Sequence, residues 1–212
     1  MLTLLLYLVF LRPDPARKPL PPADGERIQT AHMANIRSMA ANGVLLSAGP
    51  FAVPPGDKPA TISGIFILKA ASLAEARRIA AGDPTVVEHR NTVDVYAWRG
   101  PADLAEEYFR LHKANPDTPE GMAEHPFCLI YKGPNWQASP AAAELIDRFH
   151  AAGQLGAGGP VEGDASLLGL AIFKPGLVAD ARKLLEADAA LKSGQFRIEY
   201  HNWWSSAHVL PW

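Results

Sequence analysis

The chain has 212 residues, of which 48% are hydrophobic and 20% are charged. This composition is typical of a globular protein, and the length suits two domains of about 100 residues each. A formal net charge of −2 gives no electrostatic reason to expect a nucleic acid or an anionic membrane as a partner. The single cysteine, Cys128, excludes an intramolecular disulfide and a zinc site built from cysteines.

The apolar segment Met1–Leu11 resembles a targeting signal only superficially. It is shorter than the ~20 residues that span a bilayer. No basic residue precedes it, and Arg12 and Pro13 follow it in place of a small-residue cleavage site. We therefore interpret the segment as a buried strand and expect a cytoplasmic protein.

In chain order, the first half predicts the succession strand, helix, strand, strand, helix, strand. Gly43 is placed to end the first helix in a left-handed conformation, and Ser72 with Glu75 resembles the capping box that begins the second helix. Hydrophobic periodicity and turn residues predict strands over 4–11, 44–48, 63–68 and 92–98, and helices over 26–42 and 73–81.

A connector with a short helix over 103–113 precedes a second half in which the same order recurs. The patterns there predict strands over 127–131, 154–157, 167–173 and 196–203, and helices over 141–152 and 178–185.

The two halves also share residues at constant spacing. Gly49-Pro50 corresponds to Gly159-Pro160 at an offset of 110. Six further pairs share an offset of 105: Gly64, Lys69, Ala76, Arg77, Asp83 and Trp98 correspond to Gly169, Lys174, Ala181, Arg182, Asp188 and Trp203. This spacing predicts a duplicated domain, with one module over 1–98, a connector over 99–126 and a second module over 127–212.

Each βαββαβ module is expected to form a four-stranded antiparallel sheet with both helices on one face. The strands are apolar on both faces, as in residues 4–8 and 65–68, so the second face also needs cover. The fold class predicted for the chain is therefore α+β, with the two sheets packed face to face around a pseudo-two-fold axis.

His32 on the first helix and Asp83 after the second are the candidate catalytic pair. Histidine exchanges a proton near neutral pH, and a carboxylate within hydrogen-bond reach fixes its tautomer. The alternative from spacing alone is structural: a helix histidine bonded to nearby backbone, and an aspartate in a turn.

These residues resemble the YCII-related family, in which a helix histidine, an L-x-x-A-G-P strand end and a D-P after the second helix recur together. The matching elements here are His32, the segment Leu45–Pro50 and Asp83-Pro84. The resemblance implies two tandem ferredoxin-like modules forming a pseudo-dimeric α+β barrel, and an active-site cleft around the histidine and aspartate. It also implies chemistry such as the dehydrochlorinase-type elimination on a hydroxylated aromatic found in the family.

The second half departs from that pattern. Ala142 stands at the histidine position, and Asp188 is followed by Ala189 rather than proline. The second module is therefore expected to have lost its site.

We hypothesise a small-molecule enzyme of the elimination or isomerisation type that needs no cofactor and no metal. His32 would be the general acid/base and Asp83 its orienter, with Ser47, Gly49 and Pro50 in the wall of the substrate pocket. A non-catalytic ligand-binding or regulatory module and a purely structural barrel are the alternatives. The expected partner is a small molecule, and the chain is expected to be a monomer or a homodimer.

Overall fold

In a computed structural model of the chain, residues 2–52, 61–119, 121–138 and 142–211 are described. Their strands are β1 (Thr3–Pro13), β2 (Leu45–Ala52), β3 (Gly64–Leu68), β4 (Asn91–Pro101), β5 (Met122–Lys132), β6 (Leu155–Glu162), β7 (Leu167–Phe173) and β8 (Phe196–Ser206). Their helices are α1 (Pro22–Ala41), α2 (Leu73–Ala81), α3 (Pro84–Val87), α4 (Glu106–Ala114), α5 (Ala142–Ala151), α6 (Ala181–Ala187) and α7 (Ala189–Lys192).

Helix ends predicted from capping residues agree with the structure. Ser72 Oγ accepts a hydrogen bond from the Glu75 N–H at 3.1 Å at the start of α2. Gly43 follows α1 with a φ of +68°, the left-handed conformation expected of it. The four-residue helices α3 and α7 were not predicted, because so short a segment shows no helical period.

The predicted fold class, two ferredoxin-like βαββαβ modules forming a pseudo-dimeric α+β barrel, is wrong. The eight strands within the described residues follow a single closed order, β1-β3-β2-β8-β5-β7-β6-β4. Element order alone does not say where the edge strands of a sheet find hydrogen-bond partners. In a closed strand order every strand has a neighbour on both sides, so no row of backbone N–H and C=O groups is left unpaired.

The chain divides into two compact units. The first unit is Leu6–Ala97, and the second unit is Trp98–Trp212 together with Met1–Leu5. The module boundaries expected from the repeat, 1–98, 99–126 and 127–212, stay a prediction, as does the duplication itself.

In the first unit, β3 pairs antiparallel with both β1 and β2, and Phe66 on β3 lies opposite Val9 and Ala48. Residues directly opposite each other share a sheet face. The face that carries Phe66 packs against α1 and α2 in one apolar cluster: Tyr7, Val9, Leu11, Met39, Leu45, Phe66, Leu68, Ala76, Ala80 and Ala97. This packing holds the middle of α1 over the sheet, where His32 lies.

In the second unit, β5 pairs antiparallel with β7 and β8, and β6 pairs with β7. Cys128 on β5 is fully buried in the apolar cluster of this unit, and burial raises the pKa of its thiol. Gly159 on β6 lies so close to the Arg99 carbonyl that a Cβ would overlap it. Close packing therefore accounts for glycine at this position.

None of the helices in the described residues is long and apolar enough to cross a bilayer.

Candidate active site

His32 lies midway along α1, over the sheet of the first unit. Its ring stacks on Phe66, with ring centroids 5.8 Å apart and an interplanar angle of 26°. Its Nδ1 is 2.8 Å from Oδ2 of Asp83 and 3.0 Å from Oδ1. The contact expected between the two side chains is therefore present, and 13% of the histidine side chain remains exposed.

Asp83 is the N-cap of α3, and its side chain is completely buried. Oδ1 accepts hydrogen bonds from the Thr85 N–H at 3.0 Å and from the Thr85 hydroxyl at 2.6 Å. Oδ2 accepts from Nδ2 of Asn35 at 3.0 Å. With His32, four donor groups converge on one carboxylate, which uses essentially all of its acceptor capacity.

These contacts decide the charge of the carboxylate. Burial by itself raises the pKa of Asp83, but the hydrogen bonds from His32, Thr85 and Asn35, with the charge of His32, outweigh it and hold the pKa below its usual value. Asp83 is therefore ionised at neutral pH and can only accept hydrogen bonds. Nδ1 of a neutral His32 must then carry the proton, which leaves the lone pair on Nε2.

Nε2 of His32 has no hydrogen-bond partner within the described residues. An unprotonated imidazole nitrogen on a partly exposed ring can take a proton from a bound molecule. The described residues include no group of three or more His, Cys, Asp or Glu side chains that could hold a metal ion.

Asn35 and Thr85 belong to the site and were missed from the sequence. Asn35 is one helical turn after His32, so the two side chains share a face of α1. Thr85 is two residues after Asp83, the position whose N–H an N-cap aspartate binds. The Asn91 side-chain amide lies 3.0 Å from the Thr85 hydroxyl and extends the network.

The residues expected in the pocket wall lie on β2. Ser47 is buried and opposite Ile67, whereas His32 contacts the face that carries the neighbouring Phe66. Gly49 lies opposite Ile65, and Pro50 opposite Gly64 at the end of the strand. The structure places none of the three in a hydrogen bond with His32 or Asp83 among the described residues, and their role in a pocket stays a prediction.

The second unit holds a different pair at a four-residue helix of its own. Asp188 is the N-cap of α7, and its Oδ1 accepts from the Ala190 N–H at 2.8 Å, as Asp83 does at α3. Its other partner is Arg148 on α5, whose Nη2 donates to Oδ2 at 2.8 Å, while Ala142 begins that helix. Arginine does not lose its proton in proteins, so Arg148 cannot accept a proton as a neutral histidine can.

In comparison with known protein families, residues 5–99 match the YCII-related domain. No curated protein matches the chain. The matched segment is under half of the 212 residues and includes His32, Asn35, Asp83 and Thr85. The chain therefore contains a YCII-related domain over residues 5–99.

Proposed function

We propose that the first unit removes a proton from a small organic molecule, with His32 as the general base and Asp83 as the residue that orients it. The reaction class is elimination or isomerisation. One observation carries this proposal: Nδ1 of His32 is bonded to a buried, ionised carboxylate, and Nε2 is left without a partner among the described residues. The match to the YCII-related domain supports it.

The proton would move from a carbon of the substrate to Nε2 of His32. The imidazolium formed in this step lies against the ionised Asp83, which stabilises its positive charge. In an isomerisation, Nε2 returns the proton to a different carbon of the substrate. In an elimination, the electrons of the broken C–H bond form a carbon–carbon double bond. The leaving group departs with the electron pair of its bond to the neighbouring carbon.

Asn35 and Thr85 would act through Asp83 as positioning residues. Each donates to one of its oxygens, so the carboxylate cannot rotate away from His32 without breaking hydrogen bonds. A fixed carboxylate holds the imidazole in one tautomer and one orientation throughout the reaction.

The state of His32 can be tested without a known substrate. Long-range ¹H–¹⁵N correlation spectra distinguish the two neutral tautomers of histidine. We expect the protonated nitrogen of neutral His32 to be Nδ1 in the unmodified chain, and this preference to be lost in Asp83→Ala. A preference for the Nε2–H tautomer in the unmodified chain would contradict the proposal.

Activity is tested by hydrogen–deuterium exchange into a panel of small carbonyl and hydroxylated aromatic compounds in D₂O, followed by NMR. We expect His32→Ala to abolish exchange and to leave the fold intact, because a helix accepts alanine readily. Asp83→Asn should reduce the rate less, and Asp188→Asn, the matched control, should leave it nearly unchanged. Equal losses at Asp83 and Asp188 would contradict the assignment.

The second candidate is a non-catalytic module that binds a small ligand or has a regulatory role. In this candidate the cleft around His32 and Asp83 holds a ligand without turning it over, and the hydrogen bonds that fix Asp83 serve only to position His32 for binding. An unchanged exchange rate in His32→Ala would support it over the enzyme. A small molecule as the partner and the cytoplasm as the location are part of both proposals.

A further inference from the structure

The second unit contains a cavity of about 320 Å³ between its C-terminal helices and β8. Ligand pockets in proteins measure about 300–1,000 Å³, so this one suits a small molecule. Its walls come from α6, α7 and β8: Arg182, Leu185, Glu186, Leu191, Lys192, Ile198 and Tyr200.

The cavity carries a net positive charge. Arg182 and Lys192 are its cations and Glu186 is its one acidic side chain. Within the described residues, no carboxylate lies within ion-pair distance of either cation. All three residues are exposed to solvent, so water screens their charges, and two cations against one carboxylate leave a net attraction for an anion.

Arg182 is held in a position that suits an anion. Its guanidinium lies over the Tyr200 ring, 4.7 Å from the ring centroid. A guanidinium held over a ring keeps the N–H groups that do not face the ring available to a ligand. Those N–H groups match the two oxygens of a carboxylate, which they bind in pairs.

The remaining walls are apolar. Leu185, Leu191 and Ile198 face the cavity beside the Tyr200 ring. Burial raises the pKa of Tyr200 to about 12, so the phenol is neutral at physiological pH, and its hydroxyl donates to the Val178 carbonyl at 3.2 Å. Tyr200 therefore presents an uncharged ring that does not repel an anion.

The two units differ in the helix that packs on the four-residue helix before their last strand. In the first unit, α1 has 20 residues and packs on α3. In the second unit, α5 has 10 residues, and α7 packs on α6 and β8. In the described part of the second unit, no helical segment covers α7 as α1 covers α3 in the first unit.

We propose that this cavity binds a small monocarboxylate with an apolar body, such as an aromatic or branched aliphatic acid. The carboxylate bonds to the edge of Arg182, with Lys192 close by. The apolar body contacts Leu185, Leu191 and Ile198. The site is separate from His32 and goes beyond the function proposed for the first unit.

The probe is benzoate, titrated into the full chain and followed by calorimetry and by NMR. We expect saturable binding at one site, at least tenfold weaker binding of the neutral isostere benzamide, and no binding of acetate, which lacks the apolar body. Failure of benzoate to saturate by about 10 mM, a concentration that detects even weak affinity, would overturn the proposal. Equal binding of benzamide would also overturn it.

Two variants locate the site. Arg182→Gln should weaken benzoate binding at least tenfold, and Lys192→Gln should weaken it by a smaller factor. The control is Arg197→Gln, because Arg197 stacks on Tyr131 at 4.4 Å in the same way but does not line the cavity. Equal losses in Arg182→Gln and Arg197→Gln would overturn the assignment. His32→Ala should leave binding unchanged, so this test is independent of the catalytic proposal.

Discussion

Replacing Asp83 by alanine tests the network that holds His32. The substitution removes the acceptor for His32, Asn35 and both donors of Thr85. A buried donor without a partner costs about 1–3 kcal/mol, and losing an N-cap costs about 1 kcal/mol. His32 and Asn35 are partly exposed and can bond to water, so their costs fall at the lower end. We expect Asp83→Ala to lower the free energy of unfolding by about 3–5 kcal/mol.

Asp188→Ala is the matched control for this substitution. Asp188 caps a four-residue helix with nearly the same backbone conformation as Asp83, φ −65° and ψ 137° against φ −64° and ψ 133°. Its other partner, Arg148, is 49% exposed, and exposed ion pairs contribute about 0–1 kcal/mol. The expected loss is about 1–2 kcal/mol. Urea unfolding followed by tryptophan fluorescence measures both variants, and equal losses would refute a stabilising role for the contacts specific to Asp83.

Stability should also depend on pH through Asp83. Because its pKa is lower in the folded chain than the usual 3.8, its contribution is complete above about pH 5 and is lost as the pH falls through the folded-state pKa. Urea unfolding between pH 5 and pH 2.5 should therefore show the difference between the unmodified chain and Asp83→Asn shrinking toward low pH, and a growing difference would contradict the lowered pKa. Gly159→Ala should destabilise the chain by about 3 kcal/mol because its Cβ would overlap the Arg99 carbonyl. The control Gly176→Ala, where the Cβ meets open space, should change the unfolding midpoint little, and equal midpoints for the two variants would show that β6 can move aside.

The contact between His32 and Asp83 could be expected from the sequence because each residue has a local marker. His32 lies within a helix ended by Gly43, and Asp83 precedes a proline after the second helix. Residue types and spacing locate such elements. They do not show that the carboxylate is fully buried, because burial depends on how α1 and α2 pack over the sheet.

The other residues of the site are held by short helices and strand pairings, which the hydrophobic periodicity of the sequence does not reveal. Thr85 bonds to Asp83 because α3 begins there, and a helix of four residues is too short for a pattern of apolar positions. Strand β5 begins at Met122 rather than at the predicted Phe127, since its pairing with β8 extends through residues read from the sequence as a loop. The closed strand order is likewise a matter of pairing between distant segments.

The hydrogen-bond partner of Asp188 could not be found by comparing residues at a fixed sequence offset between the two halves. The offset places Ala142 at the histidine position and predicts only that Asp188 has no histidine partner. Arg148 lies further along the same helix, and its long side chain reaches Asp188. A fixed offset compares backbone positions, whereas side-chain length decides which groups meet.

The buried thiol of Cys128 can be used to measure how often the second unit opens. Cys128 is the only cysteine of the chain, its side chain is completely buried on β5, and its raised pKa leaves little of the reactive thiolate. A thiol reagent can reach it only when β5 separates from the helices or strands that pack against it. The rate of labelling therefore measures the frequency of that separation in the native protein, with no introduced probe.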